Sequence, residues 1–109
     1  MPYRAESGKP FNLRIGELDA VVFMGVDSDV SYATIQVVEG GAAWGTAILT
    51  LVYSNDGVNF AEQMATLSAP GYFGPLQVAG YGYVGVKVTT AEGADDMVRV
   101  VFSTSRASV

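Results

Sequence analysis

The sequence contains no cysteine and no histidine. Without cysteine there is no disulfide, no thiolate metal site and no sulfur nucleophile. The redox setting stays open, because a cysteine-free chain folds equally well in either compartment. Without histidine, the commonest general base near neutral pH and the commonest zinc ligand are gone. That removes Ser-His-Asp hydrolysis and metal hydrolysis of the usual kind. Charge is scarce too: 16% of the residues are Asp, Glu, Lys or Arg, where about 25% is ordinary. The charge present sums to −5, with a pI near 4.3. A basic groove for nucleic acid is therefore missing, as is a polybasic segment for an anionic membrane. No apolar run approaches the ~20 residues of a membrane helix. The opening M-P-Y-R-A-E-S-G-K-P has no apolar region after its basic residues, so no signal peptide is expected.

What is present is hydrophobic: half of the 109 residues, with a mean hydropathy of +0.29. Large exposed apolar patches are rare on monomers, so the excess has to enter a core or be covered by another molecule. Self-assembly, or attachment to a larger body, is the expectation. Helical periodicity is nearly absent. Val, Ile, Thr, Tyr and Phe cluster in short blocks separated by Gly, Asp, Asn, Ser and Pro, the pattern of an all-β domain. Strands are predicted at residues 20–26, 32–39, 46–54, 59–67, 74–78, 83–90 and 98–104. Short strands at this spacing predict an all-β fold: an antiparallel β-sandwich, jelly-roll-like, of about seven to eight strands.

Alternation assigns faces. Val84, Val86 and Val88 share one side and Gly85, Lys87 and Thr89 the other. Val98, Val100 and Phe102 oppose Arg99, Val101 and Ser103. Ala47, Leu49, Leu51 and Tyr53 oppose Ile48, Thr50, Val52 and Ser54. This last strand is apolar on both faces for part of its length, so it is either central or covered by a partner subunit. Residues 1–17 lack a sustained period, and the predicted division is an N-terminal arm or leader at 1–17 and a sandwich domain at 18–109. Within the arm, Phe11, Leu13 and Ile15 alternate. The segment is either a disordered leader or an arm that adds a strand to a neighbouring molecule. Trp44, the one tryptophan, sits in the glycine-rich connection 39–45. It is expected to plug the end of the sandwich; the alternative is an exposed contact anchor.

Several strings resemble reactive sites without the context that chemistry needs. Asp27-Ser28-Asp29 and the acidic run Glu92, Asp95 and Asp96 lie in turns, where such side chains bond their own backbone. Neither gives the opposed pair of a glycosidase or the converging oxygens of a calcium site. Ser54-Asn55-Asp56-Gly57 places a serine beside an acid, but no base accompanies it; it reads as hairpin-turn chemistry. Gly80-x-Gly82-x-x-Gly85 matches a dinucleotide fingerprint as a string, yet a β pattern follows where a helix is required. Small glycines there let another strand or a partner surface come close. No catalytic residue, metal ligand or cofactor is predicted. An exposed aromatic row drawn from Trp44, Tyr72, Phe73 and Tyr81 would suit a sugar face, although core or interface is the expected role.

The strand that ends in Ser54-Asn55-Asp56-Gly57-x-x-Phe60 is followed by Val78-x-Gly80-Tyr81-x-Tyr83-Val84-x-Val86-x-Val88-Thr89-Thr90-Ala91-Glu92-Gly93. In this succession the chain resembles small virion proteins of tailed bacteriophages, over residues 46–102. Sugar-binding jelly rolls of the discoidin type share the turn and the strand after it, with tryptophan where Phe60 stands. The resemblance implies a non-enzymatic head-decoration or cement-like virion protein, homo-oligomeric with a trimer favoured, bound to the major capsid protein or another virion protein. It carries over no catalytic residue. The candidate contact residues are Phe11, Leu13, Ile15, Trp44, Tyr72 and Phe73, with neither nucleic acid nor membrane as partner. The alternative is a carbohydrate-binding module with a glycan as ligand.

Overall fold

A computed structural model describes residues 2–39, 44–91 and 97–105. Among them run nine strands and no helix: β1 (Pro2–Arg4), β2 (Phe11–Arg14), β3 (Val21–Gly25), β4 (Tyr32–Glu39), β5 (Ile48–Ser54), β6 (Ala61–Leu67), β7 (Gly71–Gln77), β8 (Tyr83–Thr90) and β9 (Met97–Ser105). They form a five-stranded sheet, β1-β3-β8-β5-β6, and a four-stranded sheet, β2-β9-β4-β7. Taken in order from β2 as strands one to eight, the sheets read 1-8-3-6 and 2-7-4-5, the strand order of a jelly roll. β1 is an addition at the edge of the five-stranded sheet.

The predicted alternation is the packing of the sandwich. Val84, Val86 and Val88 on β8 are fully buried, as are Val98, Val100 and Phe102 on β9. These two strands are central, each paired on both sides. Their inward side chains meet Leu49 and Leu51 of β5, Ile35 and Val37 of β4, and Val22 and Met24 of β3 in one core. Each such side chain removed from water contributes about 1.5–3 kcal/mol. β5 is buried on both faces because it lies between β8 and β6 and because the chain covers its outer side itself. There the Phe23 ring packs on Phe60 at 5.3 Å and on Tyr83 at 5.5 Å. Thr50 joins Thr89 through their hydroxyls at 2.8 Å. No partner subunit is needed to explain those apolar residues.

The N-terminal segment departs from expectation. Pro2–Arg4 and Phe11–Arg14 pair within the two sheets as β1 and β2, where the sequence pattern suggested a disordered leader or an arm reaching to a neighbour. β1 pairs with β3 in parallel, so the sandwich is not wholly antiparallel, and β2 pairs antiparallel with β9, Phe11 opposite Val100 and Leu13 opposite Val98. These two strands raise the count from the seven or eight expected to nine. The alternation of Phe11, Leu13 and Ile15 has its physical reason here. β9 offers an open edge whose inward valines continue the core, and the segment fills it. Leu13 is 1% exposed and Ile15 fully buried; Phe11 is half-buried, its ring 5.7 Å from Tyr3.

Gly85 marks the tightest approach in the five-stranded sheet. A Cβ there would stand 2.5 Å from the Val22 carbonyl oxygen and 2.9 Å from the Phe23 Cβ. The glycine thus lets β3 lie against β8, the intrachain form of the close approach expected from its sequence.

Two stability predictions follow from this packing. Leu13→Ala is expected to cost about 2–5 kcal/mol in urea unfolding, as a core truncation does; a loss below about 0.5 kcal/mol is what a free arm would give. Gly85→Ala is expected to cost about 1–3 kcal/mol, the usual range for overpacking, measured in the same way.

Candidate functional site

The contact residues predicted from sequence separate into two groups. Leu13, Ile15, Trp44 and Phe73 belong to the core of this one chain, so they cannot form an intersubunit surface. Leu13 and Phe73 sit on the inward phase of their strands, Ile15 lies in the turn just past β2, and Trp44 is buried with its Nε1 donating to the Ala47 carbonyl at 2.8 Å. The plug reading of Trp44 is the observed one. Tyr72 is 64% exposed on β7, and Phe11 is only half-buried. The suggested aromatic row is therefore not a platform: Trp44 and Phe73 are buried, while Tyr72 and Tyr81 are exposed on separate elements. Of the acidic turns, Asp27 accepts a hydrogen bond from the Val30 N–H at its backbone carbonyl. Glu92, Asp95 and Asp96 lie outside the described residues.

Two surface features remain. The first is β6, an edge strand of the five-stranded sheet. Its seven residues are exposed or half-exposed throughout, and the Met64 side chain is entirely in solvent. β6 has no proline and no lysine. Its one charge, Glu62, is held by Lys87, which donates at 3.1 Å and lies 3.5 Å from Asp19 as well. The hydrogen bond with Glu62 raises the Lys87 pKa despite partial burial.

The second feature is a cleft of about 320 Å³ where the β5–β6 connection meets the β7–β8 connection. Its wall is a pair of tyrosines, Tyr53 and Tyr81, stacked at 4.3 Å between centroids with 16° between planes. Burial, and then the neighbouring Tyr81, push the Tyr53 phenol pKa up, so it stays a neutral hydroxyl. Asn55, Asp56, Asn59 and Gln63 supply the polar lining.

Asp56 builds the floor of this cleft. Its Oδ1 accepts from the Val58 and Asn59 N–H groups, each at 2.8 Å, and from the Ser54 hydroxyl at 3.0 Å. Its Oδ2 accepts from the Asn59 amide at 2.8 Å. The Ser54 hydroxyl in turn accepts from the Gly57 N–H at 3.0 Å, and Gly57 has a φ of 74°. Ser54 and Asp56 are thus turn-forming groups, the role their sequence context predicted. The carboxyl pKa is held far below its ordinary range, first by the Asn59 N–H, then by the Val58 N–H and the Asn59 side chain. The Gly82 N–H donates to Asn55 Oδ1 at 3.4 Å, and a Cβ on Gly82 would lie 2.9 Å from the Asn55 carbonyl oxygen. The two connections therefore lie against each other at Gly82 and Asn55. Sequence reasoning identified the turn and Tyr81, but missed Tyr53, Asn59 and Gln63 as members of one site.

No family model matches the sequence, and no curated protein does. Among solved structures, the chain is similar to the pre-peptidase C-terminal domain of collagenase from Bacillus anthracis. The TM-score is 0.53 at 16% identity, over 94% of this chain and 95% of that one. At that identity the likeness is one of fold, a β-sandwich.

Asp56 generates a pH prediction. Its folded pKa lies below the unfolded value, so its stabilising contribution is complete at neutral pH. That contribution is lost as the pH falls below the ordinary 3.8 and through the lowered folded value. Asp56→Asn is expected to lower the urea midpoint at pH 7, with the gap to the wild type narrowing progressively below pH 3.8. A gap independent of pH would show that the carboxylate charge is not what holds the turn.

Proposed function

We propose that this chain is a non-enzymatic virion protein of a tailed bacteriophage, a head-decoration or cement-like jelly roll that reinforces a shell through contacts between copies and with the major capsid protein. The observation that carries the reading is the β6 edge. Soluble domains block an exposed edge strand with proline, lysine, a bulge, an inward charge, a covering loop or brevity, and of these β6 carries the bulge alone. β6 is seven residues long with neither proline nor lysine; its register against β5 shifts between Glu62 and Thr66, and in that bulge Met64 stands fully in solvent beside exposed Ala65. Its unpaired N–H and C=O groups suit strand addition, in which main-chain bonds supply affinity and alternate side chains supply selectivity.

The virion setting is supported by the sequence resemblance, whose turn and strand fold as the β5–β6 hairpin and β8. The assignment of the contact surface differs from the one suggested by sequence. The Phe11 to Ile15 segment is folded into its own sandwich, so attachment passes to β6 and to exposed groups such as Tyr72. The energetic logic is repetition. A contact of ~1,000 Å² of apolar surface is worth up to ~25 kcal/mol gross, most of it offset by association entropy and desolvation. Many modest contacts over a shell then resist its opening together.

The test is light scattering of the purified chain across a concentration series, followed by co-sedimentation with tailed-phage capsids lacking it. The wild type is expected to assemble, a trimer being the favoured state, and to sediment with particles. Met64→Asp and Ala65→Pro are expected to reduce assembly at least about tenfold, since one lost contact of about 1.4 kcal/mol suffices. A wild type that stays monomeric and ignores particles overturns the reading.

A further inference from the structure

We infer that the Tyr53–Tyr81 cleft is a binding site for a neutral saccharide of one or two rings. The cleft lies within a single chain, and although Ala61 and Gln63 at its rim belong to β6, the tyrosine pair and the Asp56 turn lie outside that strand. Its volume of about 320 Å³ is at the lower end of ligand pockets, about 300–1,000 Å³. A sugar ring presents an apolar C–H face and a rim of hydroxyls that both donate and accept. The stacked tyrosines cover one face of each other, and Tyr81, 42% exposed, keeps part of its ring open for the first.

The polar lining matches the hydroxyl rim. The Asn55 amide nitrogen, the Asn59 and Gln63 side-chain carbonyls and the Tyr53 and Tyr81 hydroxyls make no hydrogen bond among the described residues. These atoms combine donors with acceptors. Their neighbours on the same side chains are committed: Asn55 Oδ1 accepts from Gly82, Asn59 Nδ2 donates to Asp56, and Gln63 Nε2 donates to the Ala61 carbonyl at 3.0 Å. Each amide is thereby fixed with its remaining polar atom unspent.

Charge selects against other ligands. No lysine or arginine lines the cleft, so phosphates and carboxylates find no counter-charge. The one anion, Asp56, already accepts four hydrogen bonds from its own turn, and it repels anionic ligands. A proline-rich peptide also suits tyrosine walls, but it brings few groups to answer five unspent polar atoms. Because the Asp56 turn is already held by its own hydrogen bonds, that side of the cleft adds little ordering cost on binding.

The test is saturation-transfer NMR and calorimetry on the full chain. The probes are maltose, cellobiose, lactose and N,N′-diacetylchitobiose, with glucuronic acid and decaproline beside them. At least one neutral disaccharide is expected to bind with a Kd on the order of 1 mM, about −4 kcal/mol, and glucuronic acid more weakly. Tyr81→Ala and Gln63→Leu, both at exposed or half-exposed positions, are each expected to weaken that binding about tenfold or more, a factor set by about 1.4 kcal/mol. Their melting temperatures are expected to stay close to the wild type, and Tyr72→Ala, on the other sheet, to leave binding unchanged. Saturable binding to none of the neutral sugars, binding that survives Tyr81→Ala and Gln63→Leu, or preference for decaproline or glucuronic acid would each overturn the assignment. Wild-type chain that assembles through β6 yet binds none of the neutral sugars removes the saccharide site alone, and Tyr81→Ala, outside β6, is expected to leave assembly unchanged.

Discussion

The structure depends on two central strands that carry the same side-chain rhythm. β8 and β9 are consecutive in the chain yet lie in different sheets, and each presents three large apolar side chains inward. Because a strand's period is two, that rhythm fixes which edges can be joined and in which register. β3 and β5 pair with β8, while β2 and β4 pair with β9. One slipped residue would turn Val84, Val86 and Val88 to solvent and bring Lys87 into the core. The remaining strands are arranged around this constraint, and the polar surfaces are whatever it leaves outside.

Such a rhythm is local, which is why much of the sandwich can be read from the sequence. The alternation in 83–90 and 98–104 fixes inner and outer faces before any partner is known, and the glycines and Asx residues mark the corners. The first seventeen residues illustrate the limit. Phe11-x-Leu13-x-Ile15 announces a strand with one apolar face, but alternation carries no information about whose edge it will meet. An intermolecular arm and an intramolecular edge strand have the same pattern. The choice is made by the distance between that segment and the open side of β9, a property of the folded chain.

The cleft was less legible for a related reason. The Ser54–Phe60 turn was visible, since an Asx residue before glycine has local chemistry. The site, however, combines residues around 53–63 with Tyr81, joined by the packing of two connections and by one hydrogen bond from Gly82 to Asn55. A list of aromatic residues names Tyr81 without revealing that Tyr53 lies parallel beneath it. The same applies to Trp44 and Phe73, whose ring chemistry suited a binding surface until strand phase turned them inward. Ring type states what a residue is able to do; its position in the pleat decides whether it is reached.

The pairing of β2 with β9 has a further consequence for the order of events during synthesis. Phe11 meets Val100 across the sheet, so contacts of the first strands of the domain await its last strand. The four-stranded sheet has no complete form on a growing chain until β9 has emerged, because β9 joins β2 to β4. Long-range pairing of this kind is slow and leaves apolar strands open to other chains in the interval. The interval closes only when β2 and β9 have met, so the same pairing that completes the core also ends the exposure of its valines.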